Sequence, residues 1–273
     1  RDPEMSRGLG DVYKRQLWAW GKNSAGQLGI GNTQAQTAPV QVGADMDWKQ
    51  VAAGCSSVLA LKTDGSLWGW GFNMYSELFG HEGKQLSPVR LGSETDWEQV
   101  VVIDFRAYAV KKDGTLWAWG DNANNLLGFN TPTEEETTAE GNPVEVVTVP
   151  QITAPTHVTS IEGKVLTISG CENTLSVATG TDGVIEKVWM LGSNTDGALG
   201  DGKGLGNGNK DIPFAKVPVH PSLKSSLKFA GMSSGQNYTV MLTTDGDIWG
   251  WGCNRGGQLG CLLYTSDAAD DTP

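Results

Sequence analysis

The chain has 273 residues, a net charge of −11 from 20 Lys and Arg against 31 Asp and Glu, 38% apolar residues and 11 Trp. That length holds one large all-β domain or two domains, and no apolar run approaches the ~18 residues of a membrane-crossing helix, which excludes insertion into a membrane by helix. Binding to a phosphate backbone needs a positive field; with basic residues scattered through an acidic chain, nucleic acid is excluded as a partner.

Residues 1–16, RDPEMSRGLGDVYKRQ, match nothing that follows and read as adapter-like, non-native sequence to be set aside. Residues 17–42 form the second half of a unit that then recurs: Leu17-Trp18-Ala19-Trp20-Gly21, a loop, and Pro39-Val40-Gln41-Val42. Residues 48–91 give the unit whole. An apolar run, Val58–Leu61, precedes Asp64-Gly65; Leu67-Trp68-Gly69-Trp70 follows, then Asn73 with Leu78 five residues on, then Pro88–Leu91. Asp-Gly between apolar runs predicts a two-residue hairpin turn at positive φ. Strand alternation puts Trp68 and Trp70 on one face and Gly69 on the other, where a missing side chain lets the next sheet come close. A proline opening the last strand suits an outer edge.

The next units are 97–146, with Asp113-Gly114, Trp117 and Trp119, and 155–217, with Asp182-Gly183 and the divergent Trp189-Met190-Leu191-Gly192. A partial unit, 227–260, carries Asp245-Gly246, Trp249 and Trp251. Trp18, Trp68, Trp117, Trp189 and Trp249 stand 50, 49, 72 and 60 residues apart, a spacing typical of propellers and solenoids. Each whole unit supplies about four short strands, one propeller blade. Residues 261–273, CLLYTSDAADDTP, lose the register and read as a second adapter-like tail.

Gly54 to Phe79 and Gly235 to Gly260 carry the pattern G-x-x-x-x-x-A-L-x-x-D-G-x-L-W-x-W-G-x-N-x-x-G-Q-L-G with few departures, and Gly21 to Gly29 carries its end. Over residues 17–260 this resembles the repeat of the regulator of chromosome condensation family, in a Trp-rich form of bacterial type. The resemblance implies an all-β fold: a β-propeller with about four blades present, as an open arc of a seven-bladed ring cut from a longer protein. The broken faces of such an arc expose apolar surface and favour aggregation.

The chemistry-bearing residues find structural places. Asp64, Asp113, Asp182 and Asp245 recur once per unit in turns, where an Asp bonds its own backbone. Asn23, Asn73, Asn122, Asn194 and Asn254 follow Trp-Gly-x or its variant and cap the next turn. No D-x-D-x-D-G run appears for calcium, and His81, His157 and His220 have no second ligand at zinc spacing. Gly197–Lys203 satisfies G-x-x-x-x-G-K, but Gly204 stands where a phosphate loop needs Ser or Thr. Cys55 and Cys171 occupy equivalent places in different units and so do not bridge, which leans toward a reducing, cytoplasmic compartment. No catalytic, metal-binding or cofactor-binding residue is nominated, and no cofactor is expected.

Interaction candidates remain. Where the family often has His, three residues after the glycine opening the second strand, this chain has Ser57, Arg106, Asn173 and Tyr238. Arg106 and Tyr238 are types favoured as interface anchors, although the family uses that place for packing. Residues 129–142 form an acidic insertion with Glu134, Glu135 and Glu136; residues 201–211 form a Gly-rich one. The hairpin Thr179–Lys187 is extended and presents Thr181, Asp182 and Glu186. The reading is a non-enzymatic scaffold that binds an unidentified protein through blade-face loops. The resemblance also implies guanine-nucleotide exchange on a small GTPase, with the extended hairpin as the wedge. A third reading, a propeller enzyme acting on polysaccharide, requires inward-facing carboxylates of raised pKa.

Overall fold

The computed structural model describes residues 15–123, 126–129, 151–171, 174–192, 197–200 and 227–260, with short strand segments at 135–137, 143–145 and 215–216. Among these residues every regular element is a strand, and no helix is long and apolar enough to cross a membrane.

Strands β1 (Trp18–Gly21) and β2 (Gln36–Gln41) form a two-stranded sheet. The whole repeat then folds as a four-stranded antiparallel meander in chain order: β3 (Trp48–Ala53), β4 (Ser57–Lys62), β5 (Leu67–Asn73) and β6 (Gly83–Leu91). The next sheet begins the same way, with β7 (Trp97–Ile103), β8 (Arg106–Lys111) and β9 (Leu116–Asp121). Its outer strand departs from expectation. Among the described residues β10 (Glu135–Thr137) and β11 (Pro143–Glu145) pair with each other, and the edge beside β9 is taken by β12 (Gln151–His157). The blade expected to close at 146 therefore closes at 157.

β13 (Val165–Cys171), β14 (Thr174–Thr181), β15 (Val184–Gly192), β16 (Ala215–Lys216), β17 (Leu227–Gly235), β18 (Tyr238–Thr243) and β19 (Ile248–Gly252) make one seven-stranded sheet. Two successive units are fused in it, because the near end of β15 pairs with β17 (Val184 with Lys228, Ile185 with Leu227) while its far end pairs with β16. The chain divides into two compact units, one holding β1–β8 and the bulk of β9 and β12, the other β10, β11 and β13–β19.

The turn chemistry differs from the two-residue expectation in most copies. Gly65 donates to the Lys62 carbonyl at 3.0 Å and Lys62 to that of Ser66 at 3.1 Å, with Gly65 at φ 86°. This is a three-residue loop, a type I turn closed by a left-handed glycine. The last copy repeats it: Gly246 donates to Thr243 and Thr243 to Asp247. Asp182-Gly183, with both φ positive and Thr181 paired to Val184, forms the two-residue turn. The prolines also sit differently. Pro39 and Pro88 lie inside the outer strands, opposite the register breaks at Ala19/Gly21 and Gly69/Gly71, where no ladder bond is lost to them.

Gly71, after the Trp-x-Trp, has φ 99°, and a Cβ there would lie 2.3 Å from the Ser56 carbonyl that receives the Phe72 N–H. Gly120 and Gly252 repeat that geometry against Phe105 and Asn237. Gly69 is filled from its own blade: a Cβ would meet Leu78 at 2.6 Å and Leu59 and Leu91 at 3.0 Å. The core of the first unit is a layer of Leu59, Leu61, Leu78, Leu91, Val100 and Trp119 between the two meanders.

Candidate interaction surface

Each blade has two ends. One carries the Asp-Gly turn. The other carries the turn between its first two strands and the Asn-x-x-x-x-Leu loop.

At the Asp-Gly end, Asp64 Oδ1 accepts the amide and hydroxyl of Ser66 at 2.8 and 2.7 Å, and Asp113 does the same with Thr115 at 2.9 and 2.7 Å. The Ser66 hydroxyl and amide hold the Asp64 carboxyl below its ordinary value. Behind these turns stands a device the sequence reading missed. Lys62 Nζ lies 5.0 and 4.5 Å from the rings of Trp48 and Trp68 and pairs with Asp45 (2.8 Å) and Asp47 (3.1 Å). Burial alone would pull the Lys62 pKa down, but the two aspartates outweigh it and the net shift is upward. Lys111 repeats the clamp between Trp97 and Trp117, at 4.8 and 4.7 Å, with Asp96 at 3.1 Å. A cation between two indoles with a carboxylate behind it is attracted by both ring faces. The visible signal was Lys two residues before Asp-Gly in units opened by Trp.

At the other end the Asn expectation holds in detail. Asn23, Asn73, Asn122 and Asn254 each accept, on Oδ1, the N–H five residues on, at 2.8–2.9 Å. Each Nδ2 donates to loop carbonyls, and Asn23 and Asn122 are fully buried. The loop so shaped is the seat for the next blade. Trp70 Nε1 donates to the Gln27 carbonyl at 3.0 Å and Trp119 Nε1 to that of Glu77 at 2.8 Å. Trp251 lies against Gly200, where a Cβ would be 2.8 Å from its ring. Trp70 and Trp119 are 2% and 0% exposed; Trp20, with no such loop against it among the described residues, is 62% exposed.

Of the nominated residues, Arg106 is buried, its Nη2 3.3 Å from Asp104 and its Nε donating to Ile103; it braces its own hairpin and is not offered to a partner. Tyr238 is half-buried, its ring lying over Gly235 of the same hairpin. Thr181, Asp182 and Glu186 are exposed, with Thr181 donating to Glu186 at 2.8 Å. Glu134 and the side chains of Glu135 and Glu136 lie outside the described residues, as do Asn173, His220 and the Gly-rich insertion. The sequence reading passed over Met74, Tyr75 and Phe105. Met74 is half exposed, and the Tyr75 and Phe105 rings meet at 4.9 Å on the loop end of the first unit, beside exposed Cys55, whose Sγ is 3.4 Å from Asp104. Other copies place small or polar residues there: Ser24 and Ala25 for Met74 and Tyr75, Ser56 and Asn237 for Phe105.

The regulator of chromosome condensation (RCC1) repeat profile matches residues 16–61, and a second profile of the same repeat matches 229–258. The two matches lie in the first and the last of the described repeats, and both are to this one kind of repeat. The ultraviolet-B receptor UVR8 of Arabidopsis thaliana is 26% identical over 92% of this chain and 40% of its own length. The probable E3 ubiquitin-protein ligase HERC3 of Homo sapiens is 41% identical over 66 residues, 23% of this chain and 6% of its own. Among solved structures, human WBSCR16 superposes with a TM-score of 0.66 at 20% identity, over 88% of this chain and 58% of that one. Prp20p of Saccharomyces cerevisiae does so at 0.63 and 17%, over 91% and 56%. At these identities the structures establish the fold, a propeller of this repeat type. The chain spans less than half the length of the relatives it matches in sequence.

Proposed function

We propose that this chain is a non-enzymatic scaffold that binds a protein partner through the loop end of its first unit, where exposed Met74 stands beside the half-buried rings of Tyr75 and Phe105. One observation carries the reading. Outside the first half-unit, where Trp18 and Trp20 are exposed, the repeated Asn, Lys and Trp side chains are engaged in loops and blade contacts, while a half-exposed thioether and an aromatic pair with no such repeated role stand at the loop end. Aromatic residues and Met are enriched at protein interfaces. The test places a photo-crosslinking residue at Met74 and, as a control, at Thr181. Crosslinking to a cellular protein at 74, abolished by Tyr75→Ser with Phe105→Asn, supports the reading; equal crosslinking at both sites defeats it.

Exchange on a small GTPase is the second reading, favoured by the exposed tip Thr181–Gly183 and by the name of the Prp20p structure, which records binding to Gsp1p. Against a wedge that presses freely, the outer edge of each hairpin strand is occupied, that of β14 by β13 and that of β15 by β17. Release of labelled GDP from a GTPase panel decides it: no acceleration by the intact chain ends this reading. A polysaccharide-acting enzyme gains no support, since Glu77, the carboxyl displaced upward among the described residues, is fully enclosed.

A further inference from the structure

Glu77 is a carboxylate in a place built for an amide. Gln27 and Gln258 hold the corresponding place in their loops, each Oε1 accepting the N–H two residues back, from Ala25 at 2.9 Å and Gly256 at 2.8 Å. Glu77 Oε2 makes the same bond with Tyr75 at 2.8 Å. Its other oxygen differs: Glu77 is 0% exposed, and Oε1 has no hydrogen-bond partner among the described residues. Two of the other copies bring an uncharged amide here and two bring the apolar Leu126 and Ala198; this loop alone brings a group that carries a charge when ionised.

Among the described residues no lysine or arginine forms a salt bridge with Glu77. Asp121, at the end of β9, adds like charge. Asp104 and Arg106, at the β7–β8 turn, pair with each other. On its own loop stand Tyr75 and His81, the latter with Nε2 3.2 Å from the Arg90 carbonyl. Burial pushes the Glu77 carboxyl upward, against the opposing pull of the Tyr75, Glu77 and Met74 amides. An isolated buried carboxylate is costly, and the usual relief is to keep its proton. The carbonyl of the same residue receives the Trp119 indole N–H, and Phe79, two residues on, meets that indole edge-on at 5.5 Å.

We propose that Glu77 is a proton-sensitive latch between the two meanders of the first unit. With its proton, it stands in for glutamine and the loop 73–81 stays seated on Trp119. When the proton passes to solvent, a buried charge without a counter-ion is left, and the loop lifts from the indole. Because the proton binds more tightly in the folded state, the seating is complete below the ordinary glutamate value of 4.5 and is lost as pH rises through the elevated one. Met74 and Tyr75 ride on this loop, so the latch also gates the surface of the preceding section; that consequence rests on the partner reading, and the latch itself does not.

Hydrogen exchange of the whole chain, corrected for intrinsic rates, between about pH 5 and 8 tests it. Protection of the Tyr75–Leu78 amides should fall as pH rises across that range, about one decade per unit of displacement, and stay level in Glu77→Gln. Equal pH dependence in both proteins overturns the latch. So does a Glu77→Gln chain that fails to fold, since the place is then not one for an amide. Crosslinking at Met74 as a function of pH reads the gating separately.

Discussion

Between β3–β6 and β7–β9 the contact is made of indoles, leucines and one amide; between β13–β15 and β17–β19 a cluster of hydroxyls stands beside a smaller apolar cluster. In the first, Gln50 reaches across to donate to the Val100 carbonyl at 2.9 Å and accept its N–H at 3.0 Å, extending a backbone ladder with a side chain. In the second, Ser176, Ser234 and Thr239 bond to one another at 2.9–3.1 Å, and Ser169 accepts the Ser234 amide. Met241 takes the apolar share there with Val188 and Ile185. The same blade geometry is thus held mainly by buried apolar area in one place and by a smaller apolar area together with a satisfied hydroxyl cluster in the other. The two fail differently: an apolar contact loses free energy in proportion to the volume removed, a polar one when a single partner is orphaned.

The largest effect expected from breaking this comparison is at Trp119. Trp119→Ala removes a fully buried indole and should cost about 3–5 kcal/mol in denaturant unfolding, whereas Trp251→Ala, at the half-buried counterpart, should cost about 1–2 kcal/mol. Next comes Gln50→Leu, which leaves both Val100 backbone groups unpaired and should cost about 1–2 kcal/mol. Thr239→Val takes one partner from each of the Ser176 and Ser234 hydroxyls and leaves them bonded to each other, and should cost about 1 kcal/mol. Replacing all three with Ser176→Ala, Ser234→Ala and Thr239→Val should recover part of that loss, which no apolar contact would do. The smallest effect concerns pH. Ser66 holds the Asp64 carboxyl below its ordinary 3.8, so its contribution is present above that value and lost as pH falls through the depressed one. The stability gap between the native chain and Asp64→Asn should close on acidification, read by unfolding at several pH values.

Much of this was legible because the signals are local. Asp-Gly, Trp-x-Trp-Gly and Asn-x-x-x-x-Leu each encode a turn, a strand and a loop within a few residues, and their recurrence announced blades. What was not legible was set by tertiary pairing. Pro143-Val144 and Pro155-Thr156 both offer an outer strand, and only the ladder with β9 chooses the second. Arg106 looked like an anchor because its type favours interfaces, while its burial depends on Asp104 across a two-residue turn. Tyr75 and Phe105 are 30 residues apart in the chain, and nothing short of the fold brings their rings together. Glu77 was visible as a departure from Gln, but not its isolation.

The central claim is that Trp70, Trp119 and Trp251, each the second indole of a Trp-x-Trp, seat their blades on the loop of the blade before. A double-mutant cycle between Gly29 and Trp70 tests it most directly, because a Cβ at Gly29 would lie 2.8 Å from the Trp70 ring. Gly29→Ala carries backbone strain in any background, its φ being 68°. The account predicts that its cost falls by about 1 kcal/mol or more when Trp70→Phe is already present. Costs that add within about 0.5 kcal/mol would show that the indole does not rest on that loop, and would contradict the account.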